Sequence, residues 1–232
     1  MVRVANKSQG ASESASEGAL PGASSGAHAR VAPAKRSYHH GDLREALIEA
    51  ATTIVRERGA EHFTVSDACR LAGVSTAAPY KHFRDRNEIL EEVVQRAFAV
   101  LADRGVDAAR ASGEGTLAGI VAMNLAYVDY AIEEQGLFRL MFGQHPDIKQ
   151  DEDVLACGQS CFSRVVEQFE FFCRRNQIDE DPTAVCLRVW TFVHGMAYLL
   201  MDEDYSAVAP GLDHRALLMS ATPMLLGVDA QT

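Results

Sequence analysis

The stretch FTVSDACRLAGVSTAAPYKHF, residues 63–83, carries side chains whose chemistry suits nucleic acid. The hydroxyl of Tyr80 and the ammonium group of Lys81 suit phosphate oxygens, and Thr76 with its methyl group suits the edge of a base. The same residues are also compatible with an ordinary helical corner, in which Tyr80 and Lys81 are solvated surface side chains. Which interpretation holds depends on the elements that position them.

Other residues with reactive side chains favour structural roles. His39 and His40 have no cysteine or acidic partner at ligand spacing nearby, so no metal site is predicted. Cys157 and Cys161 share one face of a predicted helix, where buried thiols are expected and a thiol sensor is the alternative. His194 has no nucleophile or paired acid beside it in the sequence. No glycine-rich phosphate loop is present either, so we predict neither an enzyme nor a cofactor.

The hydrophobic pattern is helical from Asp42 almost to the C-terminus and shows no alternating strands, which predicts an all-α fold of about nine helices. Asp42 and Glu45 form a capping-box pattern at the start of the first helix, which Gly59 ends. The helices that follow the first 86 residues are predicted at residues 86–111, 116–134, 136–142, about 151–177, about 182–202 and about 212–226.

Two short helices hinged on a glycine are predicted within residues 63–83. The first begins at Thr64 or Ser66 and ends at Gly73, a residue that adopts a left-handed turn conformation without steric cost. The second begins with Ser75 as its N-cap and ends at Phe83. Two helices joined in this way form a helix-turn-helix, whose second helix can enter a major groove.

Composition separates the two ends of the chain. The net charge of −10 divides into +3 for residues 1–86 and −13 for residues 87–232, which suggests that the N-terminal end meets a polyanion. Residues 8–34 are rich in Ser, Ala and Gly and predict a disordered tail. No secretory signal and no transmembrane run stand out, and the five cysteines are irregularly spaced, so cytoplasmic localisation without membrane association is expected.

The stretch FTVSDACRLAGVSTAAPYKHFRDRNEIL resembles the DNA-binding domain of TetR/AcrR-type transcriptional regulators over about residues 37–95. The stretch VWTFVHGMAYLLMD, residues 189–202, is similar to the Trp-His-Gly type C-terminal domain of one subgroup of that family. Pro79 departs from the wider family, in which leucine is commoner. The resemblance implies DNA contacts from these residues: Thr64, Ser66, Ser75, Thr76, Ala77, Tyr80, Lys81, His82 and Arg86.

The resemblance also implies a domain organisation and a function. We expect a tail at 1–36, a three-helix DNA-binding domain at 37–86, an effector-binding and dimerisation domain at 87–226, and a C-terminal tail at 227–232. The expected protein is a homodimeric, ligand-responsive repressor that binds a pseudopalindromic operator in double-stranded DNA. An activator or a thiol-responsive regulator of the same fold is the alternative, and a helical interaction protein or a small hydrolase using His194 is the alternative from other classes.

Two further sets of residues follow from this expectation. An apolar small-molecule effector would contact aromatic and methionine side chains: Met123, Tyr127, Phe138, Met141, Phe142, Phe162 and Phe169. In the family the last two helices form a four-helix dimer interface, which implies these interface residues: Trp190, His194, Gly195, Leu199 and Leu200. The helix predicted at 86–111 would be nearly 40 Å long and would touch both the DNA-binding end and the effector pocket.

Overall fold

The regular elements of the part of the chain that the structure describes, residues 40–228 of this computed structural model, are all helices. The α-helices are α1 His40–Arg58, α2 Val65–Ala72, α3 Arg86–Ser112, α4 Leu117–Glu133, α5 Gln135–Phe142, α6 Pro146–Lys149, α7 Glu152–Asn176, α8 Pro182–Met201, α9 Asp204–Val208 and α10 His214–Leu226. Two 3-10 helices, Ala60–His62 and Pro79–Lys81, flank α2. The predicted all-α fold is confirmed, whereas the tail predicted for residues 1–36 lies outside the described residues.

Polar side chains fix the starts of several helices. The Thr64 hydroxyl accepts a hydrogen bond from the Asp67 amide at 3.1 Å, and the Asp85 carboxylate accepts from the Asn87 and Glu88 amides at 2.8 and 3.1 Å. The same arrangement recurs at the N-caps of α4, α7, α8 and α10, which are Thr116, Asp151, Asp181 and Asp213. These caps satisfy amide groups that have no partner inside the helix, so they set where each helix begins.

The start of α1 differs from its prediction. Asp42 lies inside α1, which begins at His40, so the predicted N-cap at Asp42 is wrong. Glu45 does not reach back along its own helix but pairs with Arg96 of α3 at 2.8 Å. A contact between two helices therefore replaces the local capping-box interaction that the sequence suggested.

Two short helices also escaped prediction. Residues 146–149 and 204–208 form α6 and α9, and the helix predicted from Ser75 to Phe83 is only a 3-10 turn, so the described residues contain ten α-helices rather than about nine. Both α6 and α9 are shorter than two turns and lie in segments rich in Pro, Gly and Asp, so no apolar period marks them. Their placement depends on packing against longer helices, which periodicity alone does not reveal.

One buried cluster crosses position 86 and joins the N-terminal helices to the rest of the protein. It contains Leu47 and Ile54 of α1, Phe63, Leu90 of α3 and Phe138 of α5. A second cluster is built mainly from α4, α7, α8 and α10, with Met123, Phe169 and Val189 near its centre. Because residues of α3 belong to both clusters, this single helix connects the two ends of the protein.

Within residues 40–228, α8 alone is long and apolar enough to cross a membrane by length and composition. Core helices of helical bundles meet the same criterion. Seven residues of α8 are buried in this bundle, and it packs against α4, α7 and α10. Packing of this kind accounts for its apolar sequence.

Candidate nucleic-acid interface and ligand cavity

The segment between α2 and α3 presents the side chains predicted to contact nucleic acid. Tyr80 is 66% exposed. Four neighbours on the segment are also exposed: Ser75, Thr76, Ala77 and Lys81. Pro79 and Phe83 are buried beneath them. The segment therefore forms a small polar surface that is anchored by an apolar underside.

This segment is not the regular α-helix predicted from Ser75 to Phe83. The Ala78 amide donates to the Ser75 carbonyl at 3.0 Å, and only Pro79–Lys81 form a helical turn of the 3-10 type. An α-helix capped by Ser75 would use the N–H of residue 79 for its first bond to the Ser75 carbonyl, and proline has no N–H. Pro79 thus converts the expected helix into a tighter turn, and the prediction is wrong in this detail.

The start of α2 combines exposed hydroxyl groups with a neutralised acid. Ser66 is exposed, and the Thr64 hydroxyl donates to the Asp67 carboxylate at 2.6 Å. Arg70 pairs with the other oxygen of Asp67 at 2.5 Å. The hydroxyl of Thr64, followed by Arg70, lowers the pKa of Asp67. Since the single carboxylate here is engaged by a cation, it opposes the approach of a polyanion less than a free carboxylate would.

Arg86 has protein partners that differ from the predicted phosphate contact. Its Nε donates to the Phe63 carbonyl at 3.0 Å, an Nη donates to the Ala60 carbonyl, and the guanidinium lies 5.5 Å from the centre of the Phe63 ring. These contacts hold the turn before α2 against the start of α3. We therefore expect Arg86 to stabilise the scaffold, and its contact with phosphate stays a prediction. His82 is half-buried, and its phosphate contact stays a prediction.

A cavity of about 490 Å³ lies in the larger part of the protein. Such a volume falls within the range of small-molecule sites. Residues of α3, α4, α5, α7 and α8 line it, and among them are six of the seven predicted effector residues: Met123, Tyr127, Met141, Phe142, Phe162 and Phe169. The geometry brings these six together around one space, as a ligand site requires.

Phe138 is the exception among the predicted effector residues. Its side chain is fully buried and does not line the cavity. It packs instead behind the lining, with its ring centre 4.8 Å from that of Phe142 and 5.5 Å from that of Tyr127. Phe138 therefore supports the cavity wall, which corrects its predicted contact with a ligand.

A hydrogen-bonded trio closes one part of the cavity wall. The Trp190 indole donates to the Tyr127 hydroxyl at 3.2 Å, and that hydroxyl lies 2.8 Å from Nδ1 of His194. The hydroxyl accepts from Trp190 and keeps its own proton, which it can donate to Nδ1 when neutral His194 carries its proton on Nε2. Burial, followed by the charge of Lys149, lowers the pKa of His194, and burial raises the pKa of Tyr127. The trio is therefore uncharged at neutral pH.

Two of the predicted dimer-interface residues belong to this trio. Trp190 lines the cavity and His194 bonds to Tyr127, so both half-buried side chains have contacts within the protomer, and their contact with another copy stays a prediction. Leu200 packs against the second buried cluster. Gly195 and Leu199 are exposed, and they remain candidates for contact with another copy.

Burial keeps the thiols of Cys161 and Cys186 protonated. Cys161 lines the cavity, and burial, with Cys157 beside it, raises its pKa to about 11. Burial raises the pKa of Cys186 to about 12. Reactive thiols have lowered pKa values, because the thiolate is the nucleophile. The thiol-responsive alternative therefore finds no support in the electrostatics of Cys161 or Cys186.

Sequence reasoning missed several residues of the cavity. Phe98 and Leu101 of α3, Asn124 of α4 and Lys149 of α6 all line it. The aromatic and apolar side chains are indistinguishable from core residues in a sequence, and Lys149 reaches the cavity only because the chain turns after α5. The place of Trp190 in the cavity lining was also missed, since periodicity shows that α8 has a buried face but not which neighbour covers it.

Two parts of the chain match described protein families. Residues 47–93 match the bacterial regulatory proteins of the tetR family, and residues 120–222 match the tetracyclin repressor-like C-terminal domain. A comparison with curated protein sequences finds no match. The resemblance to the Trp-His-Gly subgroup stays a prediction.

Solved structures share the fold. A protein of unknown function from Rhodococcus sp. RHA1 is 26% identical, with a TM-score of 0.71 over 83% of this chain and 98% of that one. The TetR family regulator PfmR from Thermus thermophilus is 18% identical, with a TM-score of 0.54 over 78% and 97%. SmeT, the repressor of the Stenotrophomonas maltophilia multidrug efflux pump SmeDEF, is 20% identical, with a TM-score of 0.52 over 79% and 88%.

Proposed function

Because the chain belongs to the TetR family of DNA-binding transcriptional regulators, we propose that it is a homodimeric, cytoplasmic repressor that leaves its operator when an apolar effector fills the cavity. The observation that carries this proposal is the position of the cavity along α3. That helix begins at Arg86, three residues after Phe83, and Leu101, Ala102 and Gly105 farther along it line the cavity. One element thus reaches both the DNA-contacting segment and the ligand.

The DNA contacts are assigned to the exposed segment and to the start of α2. Tyr80 and Lys81 contact phosphates, Thr76 and Ala77 face the base edges, and Ser66 adds a hydroxyl at the rim. Thr64, Ser75 and His82 remain candidates for phosphate contact. The exposure of the segment and the burial of Pro79 beneath it support this assignment. Arg86 is left out because its donors are directed to backbone carbonyls.

The dimer is assigned to the outer faces of α8 and α10. Leu199 is 40% exposed, Met219 is 55% exposed and Met224 is 80% exposed. Gly195 lies on the same stripe of α8 as Leu199, and a β-carbon added there would meet nothing within 4 Å. Exposed apolar residues grouped on two adjacent helices mark a surface that another protein covers. A twofold axis through this surface pairs the two DNA-binding segments on a pseudopalindrome.

The cavity supports release by a ligand. Its lining is mostly aliphatic and aromatic, which suits an apolar molecule. SmeT, a repressor that shares this fold, is known as a complex with triclosan. We propose that the effector of this protein occupies the apolar cavity, where a ligand between α3 and α7 would change the separation of the two DNA-binding segments.

Selective recovery of DNA fragments from the source genome by the purified protein tests DNA binding. The tightest fragment is then titrated with salt, because neutralised phosphates release counterions and give a linear loss of log affinity with log salt. Lys81→Ala should weaken binding to all sequences and lower the slope by about one unit. The control is Arg175→Ala, which removes an exposed cation from the last turn of α7, near the end of α3 that is far from the exposed segment. This variant should leave the salt slope unchanged. Equal slopes for both variants would contradict the assignment of Lys81.

A further inference from the structure

The charges around the cavity narrow the class of effector, on the premise that the cavity is the effector site proposed above. Among the described residues that line it, Lys149 is the one with a charged side chain, and no carboxylate is present. Of the uncharged polar side chains in the lining, Tyr127 and Trp190 are hydrogen-bonded within the neutral trio with His194, and Asn124 donates to the Thr222 hydroxyl. A cationic ligand would therefore find no counter-charge in the lining, and an anionic ligand would find one.

Lys149 is one of three basic residues in its part of the chain that form no ion pair with a described carboxylate, and the other two, Arg174 and Arg175, do not line the cavity. Residues 87–226 contain ten Lys and Arg, and seven of them form ion pairs with carboxylates: Arg96, Arg104, Arg110, Arg139, Arg164, Arg188 and Arg215. The Lys149 ammonium instead donates to the carbonyl of Phe142 at 2.8 Å, and no described carboxylate pairs with it. Asp151, two residues on, accepts hydrogen bonds from the amides of Asp153 and Val154.

The contact with Phe142 fixes this charge at the edge of the apolar space. Phe142 lines the cavity, so the ammonium that is bonded to its carbonyl is held beside the opening of the lining. One of the three N–H donors of the ammonium is used by that carbonyl. Two donors remain for a ligand, and a carboxylate is the acceptor that gains most from a cationic donor.

We propose that the effector is a monoanionic amphiphile, with an apolar body in the cavity and a carboxylate on Lys149. The apolar body packs among Phe98, Phe162 and Phe169. The carboxylate remains at the mouth, where it keeps part of its hydration and so is not transferred into the apolar interior. Straight-chain and aromatic carboxylic acids share this chemistry, and their relative affinities distinguish the two shapes.

The test uses three probes with the same tail and different head charges: decanoate, decan-1-ol and decyltrimethylammonium. Trp190 is the single tryptophan of the chain and lines the cavity, so its fluorescence reports occupancy directly. Decanoate should bind roughly three- to tenfold more tightly than decan-1-ol, as one solvent-accessible charged hydrogen bond implies, and the cation should bind least. 2-Naphthoate serves as the aromatic probe of the same charge.

Lys149→Met keeps the apolar stem and removes the charge, so the preference for decanoate over decan-1-ol should disappear. Lys149→Glu should invert the order of affinities, so that decyltrimethylammonium binds most tightly. Lys81→Met makes the same change in the DNA-binding segment and should leave the order unaltered. Equal binding of decanoate and decan-1-ol to the native protein, or a preference that survives Lys149→Met, overturns the assignment of a carboxylate.

These outcomes are separate from a failure of the proposed function. If decan-1-ol fills the cavity and releases the operator without any charge preference, the proposed switch stands and the anionic class is wrong. If decanoate binds with the expected preference but operator affinity is unchanged, the ligand class stands and the switch is wrong. Failure of all three decyl probes to alter Trp190 fluorescence overturns the ligand class, while DNA binding by the ligand-free protein is tested independently.

Discussion

Single side chains in this protein divide between those that present charge to a partner and those that hold the scaffold. Lys81 and Lys149 are exposed ammonium groups without a described ion pair. Lys81 lies on the exposed segment between α2 and α3, and Lys149 lies at the mouth of the cavity. Arg86 carries the same charge but directs its donors to two backbone carbonyls. The type of residue therefore does not settle its role, whereas its hydrogen-bond partners do.

Arg86→Ala should lower the free energy of unfolding by about 2 kcal/mol, because two buried carbonyls lose a charged donor. The matched control is Arg84→Ala, since Arg84 forms an exposed pair with Glu88 and such pairs contribute little. Urea denaturation measures both changes. An unchanged stability in Arg86→Ala, together with a salt slope for DNA binding that falls by about one unit, would instead make Arg86 a phosphate contact.

Acidification should destabilise the protein through His194. Burial lowers the pKa of His194 below its ordinary value of 6.5, so the unfolded chain takes up the proton before the folded protein does. The contribution of the neutral ring to stability is complete above about pH 6.5 and is lost as the pH falls below that value. Urea denaturation at about pH 7.5 and about pH 5.5 measures how much unfolding free energy is lost on acidification. That loss should be smaller in His194→Gln than in the native protein.

The control for this measurement is His62→Gln, because the His62 side chain is exposed and is not part of the trio. Its acid loss should equal that of the native protein. A His194→Gln variant with the full native acid loss would show that His194 is protonated in the folded state as easily as in the unfolded chain. Titration of the His194 ring by NMR provides the same answer directly, with an expected pKa below 6.5.

At the scale of elements, α5 connects the cavity wall to the N-terminal helices. Met141 and Phe142, at the C-terminal end of α5, line the cavity. Gly136, near the N-terminal end of α5, lies so close to α1 that an added β-carbon would stand 2.0 Å from the Val55 carbonyl oxygen. Arg56 at the end of α1 pairs with Glu134 at 2.5 Å, just before α5 begins. Thus α5, like α3, connects the cavity lining to the N-terminal helices.

Gly136→Ala should destabilise the protein by roughly 1–3 kcal/mol, because α1 and α5 must move apart to admit the methyl group. Gly158→Ala is the matched control in α7, since its β-carbon would make an ordinary 3.8 Å contact with Phe98. That substitution should be neutral or stabilising, because alanine favours the helix over glycine. Thermal denaturation of both variants tests the contact, and equal melting temperatures would contradict the close approach.

Several boundaries of the longer helices were predictable because the sequence encodes them locally. Gly73 ends α2 with φ 70°, and Asp85, Thr116 and Asp181 cap the helices that follow them. Contacts between helices were harder to predict from the sequence. The apolar period of α8 predicts a buried face but does not reveal that Trp190 turns to Tyr127. Six cavity residues could be named because large side chains on several helices share one interior, whereas Lys149 depends on a turn that has no local signal.

At the scale of the whole molecule, a dimer should depend on the exposed faces of α8 and α10. Leu199→Glu and Met224→Glu each place a charge on that surface, which an apolar interface would have to desolvate. Each variant should sediment as a monomer at concentrations where the native protein is a dimer. Val208→Glu, at an 80% exposed position of α9, should remain a dimer. Dimers of unchanged stability in both interface variants would place the interface elsewhere.

The reciprocal effect of ligand and operator on each other tests the proposed switch most directly. The operator Kd is measured with and without saturating decanoate, and the decanoate Kd is read from Trp190 fluorescence with and without operator. A ligand that favours the wrong separation of the DNA-binding segments must weaken both affinities by the same factor, roughly 5- to 150-fold. An operator Kd that stays constant while decanoate saturates the Trp190 signal would contradict the switch.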